Sequence, residues 1–308
     1  MNRQIYRALH MNKQRLLKKI FSYEELYAVG IRRRKGNSTL LDDTVSPFTI
    51  IPSSDDHWYA DPLIYEFDGR TYLFVEDYDR HAKKGVISAA EISEDSTPRF
   101  CTVIEEPYHL SFPMIFRWKD ELWMCPESSD NMSLNLYRCV SIPDQWEKVC
   151  ELRTGMPLVD TVMLETSDDS VKLLSSTFNP DNGLEVRYVQ CTVRNDHDSF
   201  SLDIEDNHAP YNLIERNAGN LFTVDGSGYL PTQQSTDIDY GVYLNIVPVQ
   251  EKGQAVHLGP NDLSCEGISS KYDRVGIHTY SLTDQYEAMD LRYLKFMPDK
   301  YFNKTKRS

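Results

Sequence analysis

His57-Trp58-Tyr59-Ala60-Asp61-Pro62-Leu63-Ile64-Tyr65-Glu66-Phe67-Asp68-Gly69-Arg70-Thr71-Tyr72-Leu73-Phe74 is the stretch on which the fold turns. β-Branched and aromatic residues flank an Asp-Gly pair, the strongest short-range hairpin signal. An aspartate stands at the mouth of the first strand. Four weaker copies of this strand–turn–strand unit follow. They run from Ser111 through Lys119-Asp120-Glu121 to Glu127, and from Val159 through Ser167-Asp168-Asp169 to Ser176. The next two run from Asn217 through Asp225-Gly226 to Gln233, and from Gly276 through Thr283-Asp284 to Met289. The period of roughly fifty to sixty residues is near the ~50 of a four-stranded kelch-type blade. The first four cores are each followed by a further β-rich run: Gly85–Ala90, Leu134–Arg138, Val186–Gln190 and Gly241–Ile246. The pattern predicts an all-β chain, a five-bladed β-propeller with a short N-terminal helical extension.

The chain has 308 residues and a net charge of −14, which excludes nucleic acid as a general partner. The charge is uneven. Residues 1–36 carry Arg3, Arg7, Lys13, Arg15, Lys18, Lys19, Arg32, Arg33, Arg34 and Lys35 against Glu24 and Glu25. Ile5, Leu9, Leu16, Leu17, Ile20 and Phe21 fall partly at helical spacing. A basic amphipathic helix of this kind suits an anionic membrane surface, a glycosyltransferase partner, or simple packing across the propeller. Leu26–Arg32 reads as a strand that closes the ring and so removes an exposed sheet edge. The expected division is a basic extension with that strand over residues 1–44 and the propeller over 45–308. There is no secretory apolar region and no run long enough to span a bilayer. The six scattered cysteines read as reduced thiols. Together these set a cytoplasmic expectation, with peripheral membrane attachment as the option the basic terminus leaves open.

In a propeller, equivalent positions of the innermost strands form rings about the axis. The starts of the cores offer Asp61, Ser111 or Phe112, Asp160, Ala218 and His278; the ends of the second strands offer Glu76, Glu127, Ser176 and Gln233. Carboxylates in such half-buried places are costly unless paired or hydrogen-bonded. Several at one point suggest a ligand, a metal or a reaction.

On Ala60-Asp61-Pro62, Val159-Asp160-Thr161 and the five-fold count, the chain resembles the five-bladed glycosidase propellers of the arabinanase/xylosidase group, with the invertase group more distant. That resemblance implies Asp61 as general base, Asp160 as the aspartate that tunes the acid, and His278 beside an axial water or metal. The chain departs from the pattern in the fourth copy. Asn217 stands where a glutamate belongs, and Glu215 lies two residues upstream.

A closer resemblance covers nearly the whole chain. It rests on Trp58-Tyr59-Ala60-Asp61-Pro62, Lys84–Glu91, Glu105–Pro113, Pro126-Glu127-Ser128, Val159-Asp160-Thr161, Ala218-Gly219 and Gly276–Thr279. These resemble the N-terminal propeller domain of the plant glucosamine inositolphosphorylceramide transferases, which also occurs in bacterial proteins. In the plant proteins a separate glycosyltransferase domain follows, so the expectation here is a stand-alone propeller without the transferase activity.

The expected function is therefore that of a carbohydrate-active protein that acts on or binds a glycan or glycoconjugate. Inverting glycoside hydrolysis needs one carboxylate to activate water and one protonated carboxyl to serve the leaving oxygen. Asp61 is the expected base and Glu127 the expected acid, with Asp160 keeping Glu127 protonated by like-charge repulsion. Glu76, the other glutamate at a second-strand end, could reach the same axis. Trp58, Glu76, His109, Arg216, Gln233, Tyr240 and His278 are the expected substrate-binding residues; Tyr59 and Tyr108 could join Trp58 as flat faces for sugar rings, with packing between blades as the alternative for these rings, above all for Tyr59. The alternatives are a non-catalytic sugar-binding or scaffold module in surface-polysaccharide or glycolipid biosynthesis, and a pure interaction platform. No organic cofactor is expected. The carboxylate-rich surroundings of His278 would suit a divalent cation such as calcium.

Overall fold

The computed structural model describes residues 23–36, 38–40, 42, 46–93, 97–178, 186–196, 199–207, 215–236, 239–249, 255–269 and 272–296. The Asp68-Gly69 turn forms as its residues dictate: both lie at positive φ, 50° and 73°, between the paired Phe67 and Arg70. Positive φ at both central residues is the two-residue turn whose twist matches the flanking strands. Asp225-Gly226 repeats it between Val224 and Ser227, and Lys119-Asp120 repeats it without glycine between Trp118 and Glu121.

Five sheets result, each a blade and all antiparallel but for one edge pair in the last. Blade I is His57–Phe67, Arg70–Asp79, Lys84–Ile92 and Cys101–Ile104 in chain order. Blade II is Ser111–Trp118, Glu121–Glu127, Ser133–Ser141 and Gln145–Arg153; blade III is Val159–Thr166, Ser170–Phe178, Val186–Asp196 and Ser199–Asn207. In blade IV the inner place is shared by Arg216–Asn217 and Phe222–Val224, followed by Ser227–Gln234, Tyr243–Pro248 and Val256–Leu258. Aliphatic and aromatic side chains fill the spaces between blades; Met114, Trp118, Trp123, Leu136, Leu173 and Cys191 belong to one such cluster between blades II and III.

Blade V draws on both ends of the described chain. Asp273–Gly276 and Tyr280–Leu282 lie inside, Tyr286–Phe296 comes next, and Tyr23–Arg33 and Phe48–Ile51 complete the sheet, with Cys265–Glu266 parallel at its edge. Tyr23–Arg33 pairs along its whole length, from Tyr23 opposite Phe296 to Arg33 opposite Tyr286. A buried charge network pins it. Arg32 Nε donates to Glu287 Oε2 at 2.7 Å, the Tyr280 hydroxyl donates to the other Glu287 oxygen, and the guanidinium lies 4.2 Å from the Phe48 ring centre. Glu287 is fully buried, so the ion pair matters mainly because losing either member would strand the other. The expected N-terminal helix falls on residues outside those described. Among the described residues no helix is long and apolar enough to cross a membrane.

Candidate functional site at the propeller axis

The inner strands of blades I, II and III each carry a bulge at the same place, where the pairing slips between Ala60 and Leu63, Ser111 and Met114, and Val159 and Val162. One residue in each bulge is left-handed: Asp61 at φ 49°, Phe112 at 45° and Asp160 at 50°. Aspartate tolerates this region better than most residues, whereas for Phe112 it is strained. A bulge re-aims a side chain and leaves its own amide free of the ladder. The choice between Ser111 and Phe112 that the sequence left open is thus resolved: Phe112 is the counterpart of Asp61 and Asp160.

The freed amides stitch one blade to the next. Asp61 N–H donates to Asp290 Oδ2 of blade V at 3.1 Å, Phe112 N–H to Asp61 Oδ2 at 3.2 Å, and Asp160 N–H to Glu127 Oε2 at 3.1 Å. Blade IV joins through Asn217, whose side-chain amide donates to the Asp160 carbonyl at 2.7 Å. Each carboxylate is thereby fixed by the neighbouring blade.

Asp290 is one of the residues that sequence reasoning missed. It is fully buried, and its Oδ1 accepts from His278 Nδ1 at 2.9 Å, His278 N–H at 3.1 Å and Thr279 N–H at 3.0 Å. The signal was present in the sequence. Glu76, Gln233 and Asp290 each follow a tyrosine, Tyr72, Tyr229 and Tyr286, by the same interval. The fifth copy, read to Met289, stopped one residue short. Tyr27, on the strand that completes blade V, was missed as well; its ring contacts His278 and Trp58 at centroid distances of 5.2 and 4.7 Å.

The structure brings the expected residues into one buried neighbourhood. On one side Arg216 grips Asp160 with both nitrogens, Nη2 to Oδ1 at 2.8 Å and Nε to Oδ2. Its Nη2 also lies 3.8 Å from Glu127 Oε2. Gln233 Nε2 reaches Asp160 Oδ2 at 3.3 Å, and Tyr240 lies beneath the guanidinium at 5.0 Å. On the other side His278 Nε2 approaches Asp61 Oδ1 to 3.5 Å, Thr279 Oγ1 donates to the same oxygen at 2.8 Å, and Tyr240 meets the imidazole edge-on. Glu76, opposite Ala60 in the sheet, faces His109 Nε2 at 3.4 Å. Trp58 is stacked on Tyr78 at 4.4 Å, so part of its ring is already covered.

Burial dominates the electrostatics. It pushes the Asp61, Glu76, Glu127 and Asp160 carboxyls all above their ordinary range. For Asp160 the result, after Arg216 pulls back and Glu127 pushes, is about 6. Burial works downward on His278, but Asp290, Asp61 and Asp160 outweigh it and raise the imidazole overall. Burial lowers His109.

One expectation needs correction, and two rings, Tyr59 and Tyr108, take the packing alternative. Asp160 does not hold the proton on Glu127 by repulsion: its own charge is neutralised by Arg216, its amide donates to Glu127, and burial is the main cause of the Glu127 shift. Tyr59 packs on Phe100 at 4.4 Å, within an apolar cluster. Tyr108 accepts from Asn135 at 2.8 Å and Lys148 at 3.2 Å, committed to blade II.

Asp61, His278 and Asp290 each offer one ligand atom within 4.8 Å of the others, a spacing compatible with a metal ion. Their carboxylate oxygens already accept hydrogen bonds, and His278 offers a nitrogen, not an oxygen. Asp290 takes three N–H donors on Oδ1 and one on Oδ2, Asp61 takes a hydroxyl and an amide, and His278 Nδ1 is tied to Asp290. A calcium cage needs six to eight free oxygens. The residues present do not fit one.

The family described as "Glucosamine inositolphosphorylceramide transferase 1, N-terminal" matches residues 44–256. Glucosamine inositolphosphorylceramide transferase 1 of Oryza sativa subsp. indica is 28% identical over 206 residues, covering 63% of this chain and 26% of that protein. The protein of the same name from Arabidopsis thaliana is 36% identical over 110 residues, 35% of this chain and 14% of that protein. The chain thus spans about a quarter or less of the length of these relatives. Among solved structures, an α-L-arabinofuranosidase from Podospora anserina in complex with cellotriose superposes with a TM-score of 0.49 at 12% identity, covering 76% of this chain and 90% of that one. The catalytic domain of a Coprinopsis cinerea α-L-arabinofuranosidase gives 0.48 at 12% identity, with the same coverage of 76% and 90%. With residues 44–256 matched, the chain belongs to the glucosamine inositolphosphorylceramide transferase 1 N-terminal family.

Proposed function

We propose that the axial site binds a glycan or glycoconjugate and performs acid–base chemistry on a glycosidic bond. One observation carries this reading: carboxyls from blades I, II, III and V, Asp61 and Glu76, Glu127, Asp160 and Asp290, meet Arg216 and Gln233 of blade IV in a single, largely buried cluster. Such an assembly is costly to bury and needs a use beyond folding. Asp61 serves as the base that activates water. The acid is one of the two glutamates that end second strands, Glu76 or Glu127. The relatives' names, which join an amino sugar, glucosamine, to inositolphosphorylceramide, support a glycan or glycoconjugate ligand for this domain.

The second reading is a sugar-binding module in surface-polysaccharide or glycolipid synthesis, without turnover. It is favoured by Asn217, which occupies the place of a blade IV acid and is spent on the Asp160 and Leu174 carbonyls. A cytoplasmic location, with the basic N-terminus against a membrane surface or a glycosyltransferase, completes either reading; vesicle co-sedimentation of the full chain tests it. The site itself is tested by titrating wild type and D61N with free sugars, nucleotide sugars and short oligosaccharides. Binding that D61N abolishes supports the site, and release of a reducing sugar separates the first reading from the second. Absence of any sugar binding by the wild type would sink both.

A further inference from the structure

The carboxyls at the axis differ in what holds them. Asp61 receives the Phe112 amide and the Thr279 hydroxyl. Glu127 receives the Ser129 hydroxyl at 2.7 Å and the Asp160 amide at 3.1 Å, with Arg216 alongside. Asp160 holds the guanidinium, and Asp290 takes four N–H donors. Each of these anions is cradled. Glu76 is not. Among the described residues it accepts no hydrogen bond of normal length, and its one approach is His109 Nε2 at 3.4 Å.

That approach is built into the fold. Gly85 N–H donates to His109 Nδ1 at 2.9 Å, which makes Nδ1 the acceptor and leaves the proton of the neutral ring on Nε2, facing Glu76. Gly85 has no room for a side chain there: a Cβ would stand 2.5 Å from the Leu110 carbonyl, 2.7 Å from His109 Cε1 and 3.0 Å from Glu76 Oε1. The groups around Glu76 come from every neighbouring element. They are Asp61 on the paired strand, Asp77 and Tyr78 on its own, Glu127 from blade II, Asp290 and Tyr27 from blade V, and His109. The acids dominate, and no arginine or lysine figures among its main charge partners. Asp77 is satisfied separately, by His57 at 2.7 Å and Ser88 at 2.9 Å.

We propose that Glu76, not Glu127, is the proton donor of this site, and that His109 is the positioning residue that aims it. The assignment rests on the glycosidic reading above. Glu127 is fitted to carry negative charge, whereas Glu76 is fitted to be neutral. In the step, the glycosidic C–O bond breaks with its electron pair passing to the leaving oxygen. That oxygen takes the Glu76 carboxyl proton, which leaves Glu76 as a carboxylate accepting from His109 Nε2–H. Water adds its oxygen to the anomeric carbon and gives its proton to Asp61. Exchange with solvent returns a proton to Glu76 and removes one from Asp61.

The test is difference infrared spectroscopy of the full chain at neutral pH. The wild type is expected to show a protonated-carboxyl C=O band that shifts in D₂O. A component of that band is lost in E76Q and kept in E127Q. Should E76Q fail to fold, G85A carries the test: it displaces His109 and Glu76 without removing either, and the Glu76 component must shift in frequency. Sugar binding by a wild type whose band is untouched by E76Q, or lost instead in E127Q, overturns the assignment and leaves the binding reading standing. A Glu76 component in a protein that binds none of the sugars removes the reaction, and the proposal with it.

Discussion

The two sides of the axis bury negative charge by different means. Around Asp160 and Glu127 the neutralising group is Arg216, a guanidinium that stays charged at any pH a folded protein meets. Around Asp61 and Asp290 it is His278, an imidazole that titrates, helped by amides and a threonine hydroxyl. Desolvation acts on both sides, and the choice of cation decides how each responds to proton activity. On the blade III–IV side the cation is fixed and only the carboxyl titrates, whereas on the blade I–V side the cation titrates as well.

The comparison breaks most severely at the clamp. R216L leaves Asp160 buried without its partner and is expected to cost about 3–5 kcal/mol of stability, read by chemical denaturation. Retention of wild-type stability would mean that Arg216 is not what neutralises Asp160. D290N attacks the other side. It keeps the shape but weakens acceptance from His278 and Thr279, and places an amide where the Asp61 N–H donates, at a cost of about 2–3 kcal/mol. It should also bring the His278 pKa down from its raised value, followed by NMR titration of the imidazole.

Two pH windows sharpen the contrast. A carboxyl whose pKa is raised by folding binds more protons in the native state, so its contribution favours acid and is lost as pH rises. For Asp160 the window runs from about 4, the unfolded value, to about 6 in the folded protein. Wild type minus D160N should therefore lose roughly 2–3 kcal/mol across that span. His278 is raised too, but as a base: its contribution is complete below about 6.5 and fades as pH climbs through the folded value. H278Q should flatten stability at and above neutrality while leaving the acidic window intact. The smallest effect belongs to Gly241, at φ 54° with no space between it and the His278 Cβ, which a new Cβ would meet at 2.8 Å. G241A should cost on the order of 1 kcal/mol, by left-handed strain and displacement of the imidazole. It should move the His278 titration without touching that of Asp160.

The inner hairpins were legible because their information is local: two-residue turns with residues suited to positive φ, and period-2 runs on either side. The outermost strands were not. Gln145–Arg153 is exposed or half-buried throughout, so no alternation marks it. At the axis, Asp61, Asp160 and His278 were visible as repeat-equivalent polar residues in strand contexts. The Arg216–Asp160 clamp was not, since it joins residues from different blades and no spacing rule connects them. The free amides of the bulges were equally hidden, because φ at Asp61 or Phe112 depends on how the strand pairs. Glu76 shows the limit most clearly. As a residue it was a candidate, but its isolation is a statement about what surrounds it.

The dual origin of blade V sets an order of assembly. Blades I to IV are each contiguous in the chain and can fold as they emerge during synthesis. The last sheet cannot, because Tyr23–Arg33 must wait for Tyr286–Phe296. His278 and Asp290 arrive with that late segment, so the axis acquires its imidazole and its most heavily bonded carboxylate only at the final docking event. A nascent chain stalled before that point would present four blades around an incomplete axis until the circle shuts.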